Sequence, residues 1–218
     1  EGFEKLGFTG GGGGTNPACV RYGYGFAQGA NAAAAEMGKT VELNYTWQYG
    51  NSYSPSSELQ ALVNGWYNNG TEVIFCCGGN MYQSVAQAAA ENDAYMVGVD
   101  TDQSPLSETI ITSAMKGLYP ATYDTLTDVI VNGNWDKYVG KIATLGLVSG
   151  TDPEANYVQI PMGDGTQWSD SFTQDDYKAM VKDMFDGKIT VSNNTSSDVS
   201  AADFATVITV DDQGSIKG

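Results

Sequence analysis

Val97-Gly-Val-Asp100-Thr-Asp102-Gln103, followed after a short spacer by Thr109-Ile-Ile-Thr-Ser-Ala-Met-Lys116, is the stretch that decides the fold. Residues 94–99 read as a buried strand that delivers Asp100 and Asp102 at its C-terminal end. A second apolar run follows over 109–112, and a helix is expected to open near Ser113, with Lys116 in its first turn. In open α/β sheets small ligands bind just outside the carboxyl ends of the strands, so a polar pair at this point is well placed to hold one. The Asp100 carboxylate can accept two hydrogen bonds side by side from a diol, and Lys116 can supply the compensating charge and a donor. The same two residues also suit a solvated loop aspartate and an ordinary surface lysine.

Upstream, the same alternation recurs. Strands are expected over 5–9, 41–46 and 72–77, each followed by a helical segment. Four such units in the first half of the chain point to α/β architecture, a doubly wound parallel sheet flanked by helices. Asn16-Pro17 is a helix start, with Asn16 as N-cap and Pro17 in the first turn, and the helix is expected to run to Met37 and stop at Gly38. Within it, Gly25 and Gly29, with Gly23 close by, suggest close packing on a neighbouring element. Leu59, Leu62, Val63, Trp66 and Tyr67 form one apolar helical face in a helix opened by Pro55, and belong to the core.

Three loops at strand ends carry candidate ligand groups. Gly10 to Gly14 precede a helix N-terminus, the general layout of an anion cradle, but Gly10-x-Gly12-x-x-Thr15 lacks the last glycine of a dinucleotide fingerprint. A flexible or close-approach loop is the other reading of that run. Residues 47–54, Trp-Gln-Tyr-Gly-Asn-Ser-Tyr-Ser, offer rings either for stacking on a planar ligand or for folding back onto the domain. Gly78 and Gly79 place backbone N–H groups where a ligand can approach closely.

Beyond Lys116 the pattern loosens. A helix is expected toward Val131 with an early kink at Pro120, then short strands over 141–148 and 157–160. Thr173 caps a helix whose first turn is acidic and whose apolar face is Tyr177, Met180, Val181, Met184 and Phe185. Residues 192–203 form a polar loop, and 207–210 a final edge strand.

Composition narrows the chemistry. The 218 residues are 41% apolar, enough for a packed core. The net charge of −16 makes nucleic acid an improbable partner. With no histidine, Ser-His-Asp, Cys-His and His-metal schemes are excluded. The odd count of cysteines, Cys19, Cys76 and Cys77, argues against a disulfide framework. On a strand, Cys76 and Cys77 point to opposite faces and read as small buried side chains. No stretch reaches the length of a membrane span. Glu1 is not a methionine, so an upstream portion carrying any export signal is expected.

Several segments together resemble the basic membrane protein (Bmp) family, nucleoside-binding lipoproteins that serve ABC importers. They are 6–11 (Leu-Gly-Phe-Thr-Gly-Gly), 21–30 (Arg-Tyr-Gly-Tyr-Gly-Phe-Ala-Gln-Gly-Ala), 70–79 (Gly-Thr-Glu-Val-Ile-Phe-Cys-Cys-Gly-Gly), 97–103, 111–116 and the helix start at 172–177. The resemblance implies a type I periplasmic-binding-protein-like fold, two lobes clamping a ligand. Residues 1–116 would form the C-terminal-lobe α/β domain, and 117–218 a returning helix, crossover strands and C-terminal helix. The N-terminal lobe has no counterpart here. Asp100 is similar to the family aspartate that holds ribose hydroxyls, Lys116 to the lysine beside it, and Gly78 and Gly79 to the pocket-lining turn. Tyr53 and Tyr22 are the rings placed to stack on a base.

The expectation is therefore an extracellular or periplasmic solute-binding protein for a purine nucleoside, with an ABC transporter permease as partner and a lipid anchor upstream. It would use no cofactor and no metal, and perform no catalysis. A sugar or autoinducer receptor of the same fold is the alternative. A Rossmann-like enzyme would need the glycine run for a nucleotide and Asp100 with Asp102 as acid–base or metal groups, a poor metal set without histidine. A repressor core would need a basic helix-turn-helix before Glu1. An apolar face left by an absent lobe would favour self-association.

Overall fold

The computed structural model describes residues 2–215; Glu1 lies outside them. Five parallel strands form the middle of one sheet: β1 (Lys5–Gly10), β2 (Glu42–Thr46), β3 (Val73–Cys77), β4 (Tyr95–Asp100) and β5 (Ile110–Lys116). Helices α1 (Pro17–Met37), α2 (Ser57–Asn68) and α3 (Tyr82–Glu91) connect the first four strands. After β5 come α4 (Leu118–Leu126), extended by a π turn over Thr127–Val131, then the short strand β6 (Val158–Gln159), α5 (Gln174–Phe185) and β7 (Thr209–Asp212). The strand order is β6-β5-β4-β3-β1-β2-β7, with only β6 antiparallel. Because β2 and β3 lie on opposite sides of β1, the chain reverses direction across the sheet at the β1/β3 boundary. The loops leaving those two strands diverge there and open a crevice.

Both sheet faces are covered, as the nearly unbroken apolar strands require. Phe8, Leu43, Tyr45, Phe75 and Cys77 pack with Val20, Ala27 and Ala34 of α1. On the other face Ile74, Cys76 and Met96 meet Leu59, Val63 and Trp66 of α2 and Val85, Ala88 and Ala89 of α3. Cys76 and Cys77 thus do separate to opposite faces. Phe8 and Tyr45 stack with ring centres 4.6 Å apart.

Local signals set the helix limits. Asn16 Oδ1 accepts from the Ala18 N–H at 3.0 Å, Pro17 opens α1, and Gly38 ends it in the left-handed region. Ser56, one residue after Pro55, caps α2 by accepting from the Leu59 N–H. Thr173 and Asp176 form a reciprocal capping box at α5.

Four expectations are corrected. Ser113–Lys116 is not helical: the β-branched run before it pairs with β4 from Met96↔Ile110 to Asp100↔Met115, and the ladder carries the strand through Lys116. Pro120 falls in the first turn of α4, where a missing N–H costs nothing, so it marks a helix start rather than a kink. Residues 141–148 form no strand; the edge of β5 is occupied by β6, and Gly146 only accepts from the Tyr157 N–H. Gly25 and Gly29 meet no close neighbour, and Gly23 is the tightly packed glycine of α1, pressed against Phe8 and the Tyr45 hydroxyl.

Candidate functional site

At the carboxyl ends of β3, β4 and β5, beside the N-terminus of α1, lies a cavity of about 130 Å³. Asp100, Lys116, Gly78, Gly79, Tyr53 and Tyr22 all line it. They arrive from three separate elements and two strand-end loops, so it is the strand order that gathers them. Asn16, Ala18, Cys19, Cys77 and Val99 complete the wall.

Asp100 ends β4 with φ 71°, the left-handed region that a non-glycine residue occupies at some cost, though aspartate tolerates it better than most. This turns its carboxylate toward the end of the neighbouring strand, where Lys116 Nζ meets Oδ1 at 2.5 Å. Both side chains remain nearly half exposed, so the pair is a poor stabiliser and its polar atoms stay open to a ligand. Burial works to lower the Lys116 pKa, but the hydrogen bond and negative charge of Asp100 outweigh it and hold the ammonium above the ordinary lysine range.

What fixes the Asp100 turn is Gln103. Its buried Oε1 accepts from the Val99 N–H at 3.0 Å, and its own backbone N–H donates to Ser113 Oγ at 3.0 Å. One residue, through its side chain and its backbone N–H, therefore ties the end of β4 to β5. Gly98 is required beneath it, since a Cβ there would meet Gln103 Oε1 and Ser113 Oγ at 2.7 Å. From sequence alone Gln103 has no evident part, because a neutral side chain carries no charge signal. Asp102 does not join Asp100: its Oδ1 accepts from the Ser104 N–H at 3.0 Å, pinning the turn outside the cavity.

The glycine run and the aromatic loop are one unit. Trp47 is buried and its ring covers Gly10 and Gly14; the Tyr53 ring covers Gly11 and Gly12, and a Cβ at Gly10, Gly11 or Gly12 would collide with these rings. The run is thus a close-approach surface for side chains. Tyr53, at φ 57°, accepts a hydrogen bond from Asn16 Nδ2 at 3.1 Å and lies 3.8 Å from Cys19 Sγ. Of the loop's rings, Trp47 folds back onto the domain and Tyr53 faces the cavity. Tyr22, held in α1, has its phenol pushed up first by burial and then by nearby negative groups, so it stays protonated.

Chemically, the wall offers a carboxylate, an ammonium and two phenol rings around a glycine turn. Among the described residues no cluster of three or more His, Cys, Asp or Glu side chains could hold a metal. The arrangement suits reversible capture of a small polar ligand.

Residues 3–159 match the profile of a family described as ABC transporter substrate-binding protein, PnrA-like. Basic membrane protein B of Borrelia garinii subsp. bavariensis is 33% identical over 150 residues, covering 67% of this chain and 41% of that protein. An ABC transporter solute-binding protein of Conexibacter woesei superposes with a TM-score of 0.61 at 21% identity, over 88% of this chain and 58% of its own. A solute-binding protein of Aeropyrum pernix gives 0.55 at 22% identity, over 86% of this chain and 51% of its own. These two likenesses show the α/β periplasmic-binding-protein-like fold. The chain spans about half the length of the relatives it matches.

Proposed function

Since the chain belongs to the PnrA-like family of ABC transporter substrate-binding proteins, we propose that it supplies one wall of a ligand clamp for a purine nucleoside or related ribosylated compound. In this reading Asp100 accepts both hydroxyls of the ribose, Lys116 balances its charge and donates, and Tyr53 or Tyr22 lies against the base. Gly78 and Gly79 keep the approach open. No bond is made or broken. Residues 1–116 act as the lobe, and 117–218 return the chain toward a companion lobe. The whole protein stands outside the membrane on an upstream lipid anchor and hands its ligand to an ABC permease.

The observation that carries this proposal is the Asp100–Lys116 pair, half exposed at the strand ends and bordered by aromatic rings. Its size also supports a shared site. About 130 Å³ is well below the roughly 300–1,000 Å³ of pockets that enclose a small ligand alone, as one half of a clamp should be. A hydrogen bond to a charged group contributes about 1.5–3 kcal/mol, so Asp100→Ala should weaken binding roughly ten- to hundredfold.

The test is calorimetric titration of the chain, joined to the N-terminal lobe of a longer relative, with inosine, guanosine, adenosine, cytidine and ribose. Tight binding of a purine nucleoside that Asp100→Ala weakens supports the proposal. Binding of ribose or a hexose in preference would move it to a sugar receptor of the same fold, and unchanged affinity in the variant would remove Asp100 from the site.

A further inference from the structure

Two of the cavity-lining residues are cysteines, and neither has a part in the ligand reading. Cys19 is the third residue of α1 and partly exposed; Cys77 is the last residue of β3 and buried. Both line the same cavity, and Cys19 packs against the core layer that holds Cys77. Cys19 Sγ has a polar neighbour in the Tyr53 hydroxyl at 3.8 Å. Cys76, though adjacent in sequence, lies in the opposite layer against α2 and α3. The constellation is therefore one accessible thiol and one sheltered thiol, side by side on the pocket wall.

We propose that Cys19 and Cys77 form a reversible disulfide across this wall, made by exchange with a small-molecule disulfide. Cys19, as thiolate, attacks one sulfur of the reagent and expels one thiolate, leaving a mixed disulfide on Cys19. Cys77 gives up its proton to the released thiolate, attacks the Cys19 sulfur and expels the second. The protein dithiol loses two electrons and two protons, and the reagent is reduced to two thiols.

The roles follow from the surroundings. Cys19 sits at a helix N-terminus, where the free N–H groups favour a negative charge. The Cys77 thiol donates to it, and despite a counteracting effect of burial, Tyr53 and Lys116 help bring it down to about 6; Asp100 opposes them. Cys77, the donor in that pair and buried, is pushed well up and waits as the resolving thiol. Cys76 is pushed up to about 12 by burial alone and stays inert. The bridge would tie the start of α1 to the end of β3 and draw Cys19 Sγ away from Tyr53, so the pocket differs between the two redox states.

The experiment exposes the chain to oxidised glutathione and maps disulfides by mass spectrometry of a non-reducing digest. Expected is an intramolecular Cys19–Cys77 link that persists in Cys76→Ala and is undone by dithiothreitol. In Cys77→Ala, Cys19 should stop as the glutathione mixed disulfide. Alkylation of Cys19 by iodoacetamide should rise to half its plateau rate near about pH 6, well below an ordinary thiol. The proposal is overturned if wild-type Cys19 itself stops at the mixed disulfide, links to another chain, or fails to react.

Discussion

Asp100 shows most clearly how the ligand role proposed for one residue would work against stability. Its left-handed backbone is the kind of strain that costs on the order of 1–3 kcal/mol, less for aspartate, and its half-exposed ion pair returns little. Asp100→Gly should therefore lose ligand as Asp100→Ala does, yet unfold in urea at the same or a higher concentration than wild type. A clear drop in midpoint would mean that the Lys116 pair is a structural device. Glycines argue the opposite way. At Gly10 any Cβ collides with the buried Trp47 ring, so Gly10→Ala should cost about 1–3 kcal/mol in unfolding free energy. At this scale the sequence was informative where residue type is informative: an aspartate after a buried strand and paired glycines at strand ends could be picked out. Gln103 could not. Nothing in a neutral amide marks it as the tie between two strand ends; only the Val99 and Ser113 contacts do.

Among elements, those with explicit end signals were legible. α1 and α5 carry their caps in the sequence, and the structure begins them where Asn16 and Thr173 stand. Elements lacking such signals went astray for a physical reason. Residues 113–116 can be read as a helix opening until β4 is beside them, and pairing then decides. Residues 141–148 look like a strand, but the place beside β5 is already taken by β6. The Gln103 tie makes a prediction here. Gln103→Ala leaves the buried Val99 N–H without its acceptor, which should cost about 1–3 kcal/mol and loosen the Asp100 turn. Stability and ligand affinity should fall together, although Gln103 does not line the cavity. An affinity equal to wild type would show that Asp100 holds its turn unaided.

For the whole molecule, the parallel doubly wound sheet was readable from alternation, but strand order was not, since order depends on long-range pairing that periodicity does not encode. Strands over 157–160 and, at an edge, over 207–210 were readable beyond 117, and β6 and β7 stand there; which strands they would flank was not. The sequence did anticipate an apolar face. Leu118, Tyr119, Leu126, Ile130 and Val131 of α4 and its π turn are more than half exposed, as is Ile142. Such a face in a chain spanning about half its relatives' length favours self-association, against the repulsion of a −16 net charge. Light scattering should show the chain associating more as salt screens that repulsion, and Ile130→Lys should reduce it. A monodisperse monomer at high concentration and high salt would contradict this.

The claim that joins these scales is that the strand-end pocket grips a vicinal diol through Asp100. It is tested most directly by comparing inosine with 2′-deoxyinosine in calorimetric titrations of the lobe-completed protein and its Asp100→Ala variant. The wild type should discriminate against the deoxynucleoside by roughly tenfold or more, as one lost charge-assisted hydrogen bond implies, and the variant should bind both nearly equally. Equal discrimination in the two proteins would place the ribose elsewhere and contradict the claim.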